Sequence, residues 1–388
     1  MLFQPSFQPF YNPNFKLMAV YKLFPTQDTT LYSMYPEMNT GLDEILEASL
    51  EVGALTVPAP QASRFLIQFS SDEIIDVINS KISGSQWQSN LRCFVADVTS
   101  LNKDTTLIAY PISQSWNMGT GRFGNSPETQ NGASWIWRDY QGGIAWTTSS
   151  FAAGSTGSYS SSVDPGGATW YVTQSLSGSQ LFTSYGDKDI NIGVTNITSK
   201  WYSSSIPNNG FIVKQQDEFI NDEDTQPKLK YFSIDTHTIY PPCLEFKWND
   251  YTWNTGSSTL STINTLPFVV TLENNPGTFY LDSINEFRVY SRPEYPSRIF
   301  TTASLYTQNY YLPEGQSSYA IKDMYTNEFV VDFDNTYTKI SADETSCYFT
   351  VFMNGLEPER YYKILIKTII NGNTIILDDS YYFKIING

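Results

Sequence analysis

Runs of four to eight alternating or wholly apolar residues, broken by Gly, Pro, Asn and Ser, recur along most of the chain. That spacing predicts short strands joined by tight turns. AVYKLFPTQDTTLYS from residue 19, RFLIQF (64–69) and YPPCLEFKW (240–248) read as strands, and ILEASLEVGAL (45–55) alternates imperfectly. LRCFVADVTS (91–100) and TTLIAYPIS (105–113) are expected to pair as a hairpin across LNKD. Asn39 and Gly41 are expected to turn the chain at positive φ. One segment has helical periodicity: Ser70 and Glu73 form a capping box, Ile74, Ile78 and Ile82 recur every four residues with Ile75 alongside, and Gly84 stops it. This helix is expected to close one end of a sandwich. A shorter helix is predicted near residues 196–202, capped by Asn196 or Thr198, before the Asn209-Gly210 turn.

After the polar stretch 249–265, which marks a domain boundary, short strands follow at sandwich spacing: FVVTL, FRVY, TTASLYTQNYYL, YAI, EFVVDF, CYFTVFM, YYKILIKTI, TIIL and YYFKII. Asn371-Gly372 is a strong hairpin signal between two of them. The chain therefore divides into an extended arm (1–17), a first β-sandwich (18–250) and a sandwich region of one or two small domains (251–388).

The densest pattern lies at 113–148, where Trp116, Trp135, Trp137 and Trp146 sit among Gly119, Gly121, Gly124, Gly132, Gly142 and Gly143. Large rings among permissive glycines suit ordered loops on a sheet, and Trp135 and Trp137, two apart, would share a face only on a strand. With Arg138, these four tryptophans are the candidate ligand or assembly surface. The Gly-x-Gly-x-x-Gly of this stretch lacks the following helix that a dinucleotide site needs. In the arm, prolines at 5, 9 and 13 favour extended backbone, and Phe3, Phe7, Phe10 and Tyr11 are candidates for docking on a neighbour.

Composition narrows the function. With 27 Tyr, 15% aromatic and only 16% charged residues, the chain lacks helix-forming blocks. A net charge of −16 makes nucleic acid a poor partner. No apolar run is long enough to span a membrane. No secretion signal is evident at the N-terminus, so synthesis in the cytoplasm without export by the usual route is expected. Cys93, Cys243 and Cys347 are far apart and read as buried apolar side chains rather than a disulfide or zinc framework. The acid-rich loop 217–227 offers oxygens to calcium but lacks EF-hand spacing. The single histidine, His237, has no nucleophile elbow to serve and reads as structural. No catalytic residue, metal site or cofactor is expected.

Two resemblances follow. Asp28-Thr29-Thr30-Leu31-Tyr32-Ser33 with Asn39-Thr40-Gly41, then Ser63-Arg64-Phe65-Leu66-Ile67-Gln68-Phe69, resemble the opening motifs of DNRLRE-type β-sandwich domains. So do Trp116, Gly119 and Gly121 with Gly132, Ser134 and Trp135; Ile197-Thr198 and Trp201; the run from Asn208 to Lys214; and Pro241-Pro242-Cys243-Leu244-Glu245-Phe246. Gln68 and Phe246 depart from that pattern. This resemblance, over about 20–250, implies a jelly-roll-like surface or adhesion module with no catalytic residue to transfer. Leu356-Glu357-Pro358-Glu359-Arg360-Tyr361-Tyr362 resembles the tyrosine corner of fibronectin-III-like sandwiches, with Tyr362, Ile364 and Ile366 pointing inward. More broadly, 245–388 is similar in phrasing to structural proteins of marine tailed phages of the T4-like cyanophage type. Together these imply an all-β virion component, placed in tail, baseplate or neck, or as a capsid-attached fibre or decoration. It would be multi-copy or homo-oligomeric among other virion proteins. The alternatives are a carbohydrate-binding adhesin for host-surface glycans, which needs exposed rings in a groove, and a polysaccharide-degrading enzyme, which needs paired acids in a cleft.

Overall fold

The computed structural model describes residues 19–51, 61–82, 86–101, 103–147, 156–157, 166–171, 174–216, 227–296 and 308–387. The arm with Phe3, Phe7, Phe10 and Tyr11, almost all of the acid-rich loop and most of the Gly/Ser loop 151–168 lie outside these residues. The molecule is all-β, 46% strand against 8% helix. It forms two compact units, one of Tyr21–Lys81 with Trp87–Lys247 and one built on Trp248–Gly388.

In the first unit a large curled sheet runs in the order Gly178–Phe182, Thr105–Pro111, Phe211–Gln215, Gln61–Gln68, Ile45–Glu51, Lys228–Phe232, Val95–Thr99. Gln27–Tyr32 also pairs antiparallel with Gln61–Gln68. A second sheet runs Ala19–Leu23, Cys243–Trp248, Trp87–Cys93, Ile190–Gly193. The expected hairpin between 91–100 and 105–113 does not form. Val95–Thr99 pairs with Lys228–Phe232, whereas Thr105–Pro111 lies between Gly178–Phe182 and Phe211–Gln215. Both segments have the alternation of strands, but local spacing does not choose a strand's partner; burial of its apolar face does.

Gln61–Gln68 is the central strand, with Ala62 to Ile67 all buried. Ala62 and Leu66 belong to a cluster with Trp116, Trp135, Trp146 and Trp170, while Phe65 meets Tyr231, ring centroids 6.0 Å apart. A strand covered on both faces needs apolar side chains on each, which the unbroken run Phe65-Leu66-Ile67 supplies.

The helix Ser71–Asp76 starts where the capping box puts it, with the Ser70 side chain accepting from the Glu73 N–H at 3.3 Å. Its continuation Val77–Lys81 is a π turn, so Ile74 and Val77 are buried while Ile75 is exposed. The second helix, Thr195–Tyr202, has Val194 at its cap and no side-chain cap bond. Asn196 and Thr198 lie inside its first turn instead. Asn196 Nδ2 donates to the carbonyls of Ser175 and Ser177, and Thr198 is buried.

The second unit is a sandwich of two sheets. One runs Ser261–Thr262, Tyr310–Tyr311, Ile284–Pro293, Cys347–Phe352, Ser341–Ala342, with Phe268–Glu273 paired to Ile284–Pro293. The other runs Thr278–Tyr280, Asn373–Ile386, Tyr361–Ile370, Ser317–Asp323, Phe329–Val331. Between them Phe349 stacks on Tyr319 at 4.3 Å and on Phe287 at 5.3 Å, both 17° from parallel, and Phe383 meets Tyr362 at 5.7 Å. The polar stretch 249–265 is not a bare linker: Ser261–Thr262 pairs with Tyr310–Tyr311, and the Asn254 N–H donates to Ala342 O at 3.0 Å. Asn371 and Gly372, at φ 51° and 77°, make the expected hairpin. TIIL and YYFKII, expected as two strands, form one, Asn373–Ile386, interrupted by a register shift. Tyr362, Ile364 and Ile366 face the core. The Tyr362 hydroxyl donates to Glu357 O at 3.1 Å, a bond back to the chain five residues upstream.

Candidate functional site

The Trp/Gly stretch is a lid on the outer face of the first unit's large sheet. Trp116, Trp135 and Trp146 are 7%, 4% and 2% exposed, so they are core rings and offer no face to a ligand. Trp137 and Arg138 are half-buried. Trp137 packs edge-on against Tyr140 at 5.6 Å, and Arg138 Nη1 donates to Ser115 O at 2.7 Å. Trp135 and Trp137 do not share a strand, since the ladder begins at Trp137. The candidate surface therefore loses three of its four tryptophans to packing, the fate that large rings have wherever a sheet face must be covered.

What fixes the lid is Asn39. Its Nδ2 donates to Met118 O at 2.7 Å and Ala133 O at 2.8 Å, and its Oδ1 accepts from the Gly121 N–H at 2.8 Å. Neither Asn39 nor Gly41 takes the positive φ expected of it. Gly41 and Gly121 are needed for close approach: a Cβ on Gly41 would lie 2.1 Å from Met118 O, and one on Gly121 2.0 Å from Asn39 O. Beneath the lid, the fully buried Arg64 guanidinium lies 4.5 Å from the Trp135 ring centre and 5.4 Å from that of Trp170. Its Nη1 donates to Gly167 O at 2.5 Å. The segments named by sequence (39–41, 63–69, 116–121 and 132–135) thus meet in one place.

The rim of this arrangement carries an open cleft of about 560 Å³ that sequence reading did not find. One wall is aromatic and apolar: Phe123, 52% exposed, leans on Tyr32 at 5.1 Å and Tyr35 at 5.9 Å, with Met34 beside them. The Phe123 N–H donates to Asp43 Oδ2 at 2.9 Å, which ties the ring to the other wall. That wall carries Asp43, Glu47, Gln61, Lys228 and Lys230. Glu47 accepts from Ser49 Oγ at 2.6 Å and lies 3.7 Å from Lys230 Nζ. Burial, then the negative charges of Glu47 and Asp43, push the Tyr32 phenol up, so its hydroxyl stays a donor. Tyr32 and Lys230 are 198 positions apart, and sheet pairing together with the Asn39-pinned loop brings these residues to one cleft. The one available signal was the aromatic pair in LYSMYP.

Next to the cleft, Asp28 is 1% exposed and accepts from the Ile234 N–H at 2.8 Å. Burial, with Asp235 and Asp43 adding repulsion, raises its carboxyl to about 8. His237 is 86% exposed in its side chain, 3.6 Å from Glu44 Oε1. All three cysteines are free and buried, and burial raises Cys243 to about 11 and Cys347 to about 12. Thiols held neutral in this way are poor nucleophiles. Among the described residues no group of His, Cys, Asp or Glu is placed to hold a metal ion, and no helix is long and apolar enough to cross a membrane.

The second unit presents a different surface, the outer face of its five-stranded sheet. Tyr361 stands opposite Lys384, and Lys363 opposite Tyr382. Each ammonium lies 5.9 Å from the ring centre across the ladder. Lys322 sits 5.0 Å over Phe329, and Arg360 5.1 Å over Tyr325. Four of these rings, Tyr325, Phe329, Tyr361 and Tyr382, are exposed. Arg360 is held by a bidentate pair with Asp323, at 2.6 and 2.7 Å.

No family model matches the chain, and no curated protein matches its sequence.

Proposed function

We propose that this chain is a non-enzymatic structural component of a tailed-bacteriophage virion, in tail, baseplate or neck, made in the host cytoplasm and assembled in several copies with other virion proteins. The observation that carries this reading is the exposed lattice of Tyr, Phe, Lys and Arg on the second unit's outer sheet. Rings and cations in alternation give contact area without a large bare apolar patch, and Tyr and Arg are the side chains that anchor protein interfaces. Among the described residues, the buried thiols and the exposed His237 near Glu44 and Asp235 supply no activated nucleophile, which favours an assembly role over catalysis. The Tyr362 bond to Glu357 O supports an immunoglobulin- or fibronectin-III-like second unit, and the Asn39-pinned lid supports the DNRLRE-like, jelly-roll-like reading of the first.

The test is sedimentation of the purified full chain together with mass spectrometry of purified particles. Self-association that Tyr361→Ser with Tyr382→Ser abolishes supports the reading. A wild-type monomer that binds no virion protein, or absence of the chain from mature particles, overturns it. A second reading, a carbohydrate-binding adhesin, is favoured by the cleft at Phe123.

A further inference from the structure

We infer that the cleft between Phe123 and Glu47 is a binding site for a neutral saccharide. Its volume of about 560 Å³ falls within the roughly 300–1,000 Å³ range of small-molecule sites. The two walls differ in the way a pyranose ring differs between its faces and its rim. Apolar C–H faces pack on aromatic carbon, and Phe123 and Tyr35 supply it at one side, with the buried Tyr32 ring packed behind Phe123. Rim hydroxyls need closely set donors and acceptors, and Asp43, Glu47, Gln61 and the two lysines supply them at the other.

Charge decides the class of ligand. Asp43 and Glu47 are balanced by Lys228 and Lys230, so the walls sum to zero. An anionic or a cationic ligand would leave one pair opposed to it, whereas a neutral polyol bonds to both signs. The polar wall is already ordered. Glu47 is held by Ser49 Oγ at 2.6 Å and lies 3.7 Å from Lys230 Nζ. The aromatic wall is ordered too, because the Gly119–Gly124 segment is pinned through Asn39 Oδ1 to the Gly121 N–H, Gly121 O to the Leu42 N–H, and Asp43 to the Phe123 N–H. A ring left 52% exposed on so constrained a loop loses little further entropy when a ligand covers it.

The experiment is saturation-transfer NMR on the full chain with neutral di- and trisaccharides of glucose, galactose and mannose. Sialyllactose and trilysine serve as the charged comparators. Transfer to a neutral saccharide is expected, weakened about tenfold or more by Phe123→Ala. Tyr35→Ser and Glu47→Gln should weaken it in the same direction, and Tyr185→Ser, a fully exposed position away from the cleft, should leave it unchanged. Near-UV circular dichroism verifies that each variant is folded, and Tyr35→Ser stands in should Phe123→Ala fail to fold. No transfer from any neutral saccharide, transfer that survives loss of both rings, or binding confined to a charged comparator overturns the inference. Any of these leaves the assembly reading untouched, because that rests on the other unit.

Discussion

Asp28 carries its carboxyl at 1% exposure with one backbone donor and two acidic neighbours. Between its unfolded value near 4 and its folded value of about 8, the native state binds a proton that the unfolded chain does not. The linkage sign is then fixed: stability falls as pH rises through that window. Asp28→Asn keeps an oxygen for the Ile234 N–H and removes the titration. Its advantage over wild type should grow by on the order of 2–4 kcal/mol between pH 5 and 8, read from urea midpoints at each pH. At Tyr362, buried in the other unit, removing only the hydroxyl leaves the ring packed and Glu357 O without its donor. Tyr362→Phe should cost about 0.5–1.5 kcal/mol in a thermal melt.

At the scale of elements, the lid and the two helices behave differently because their stabilities have different sources. The Ser70 cap is a local bond on an exposed turn, so Ser70→Ala should cost only about 0.5–1 kcal/mol. The lid depends on backbone passing within contact of backbone at Gly41 and Gly121. Gly121→Ala has no flexible side chain to displace, and should cost on the order of 2–4 kcal/mol with a red shift of tryptophan emission as Trp116, Trp135 and Trp146 meet water. Any saccharide affinity of the cleft should fall with it, since Phe123 rides on the same segment. Strand identity was largely legible in the sequence, because alternation, Asn-Gly and Pro punctuation are local properties. Pairing was not: Val95–Thr99 and Thr105–Pro111 look like a hairpin and part to different neighbours. The helix cap at Ser70 was legible for the same local reason, and the one at Val194 was not, because no side chain makes it.

For the whole molecule, a charge of −16 opposes contact between copies, while the second unit's outer sheet offers rings beside cations that Asp378, Glu359 and Asp323 already pair. Long-range repulsion is screened over a Debye length of about 8 Å at physiological salt, and contact pairs are screened less. Self-association should therefore strengthen when ionic strength rises from about 20 to 150 mM, a trend sedimentation velocity can follow. Weaker association at the higher salt would mean that exposed ion pairs, rather than the aromatic lattice, hold the copies together.

The order and spacing of apolar residues determined by themselves that this chain is built of strands, where most of them lie, and where it turns at Asn371-Gly372. The reading of the three widely spaced cysteines as buried apolar side chains agrees with their burial in the fold. Tertiary structure alone decided that Trp116, Trp135 and Trp146 face inward while Phe123 faces out, because a ring's exposure depends on what the fold brings to its other side. It likewise decided that Tyr32, Glu47, Phe123 and Lys230 share one cleft. Periodicity records which face of a strand a residue occupies, and carries no information about which distant strand or loop will stand opposite that face.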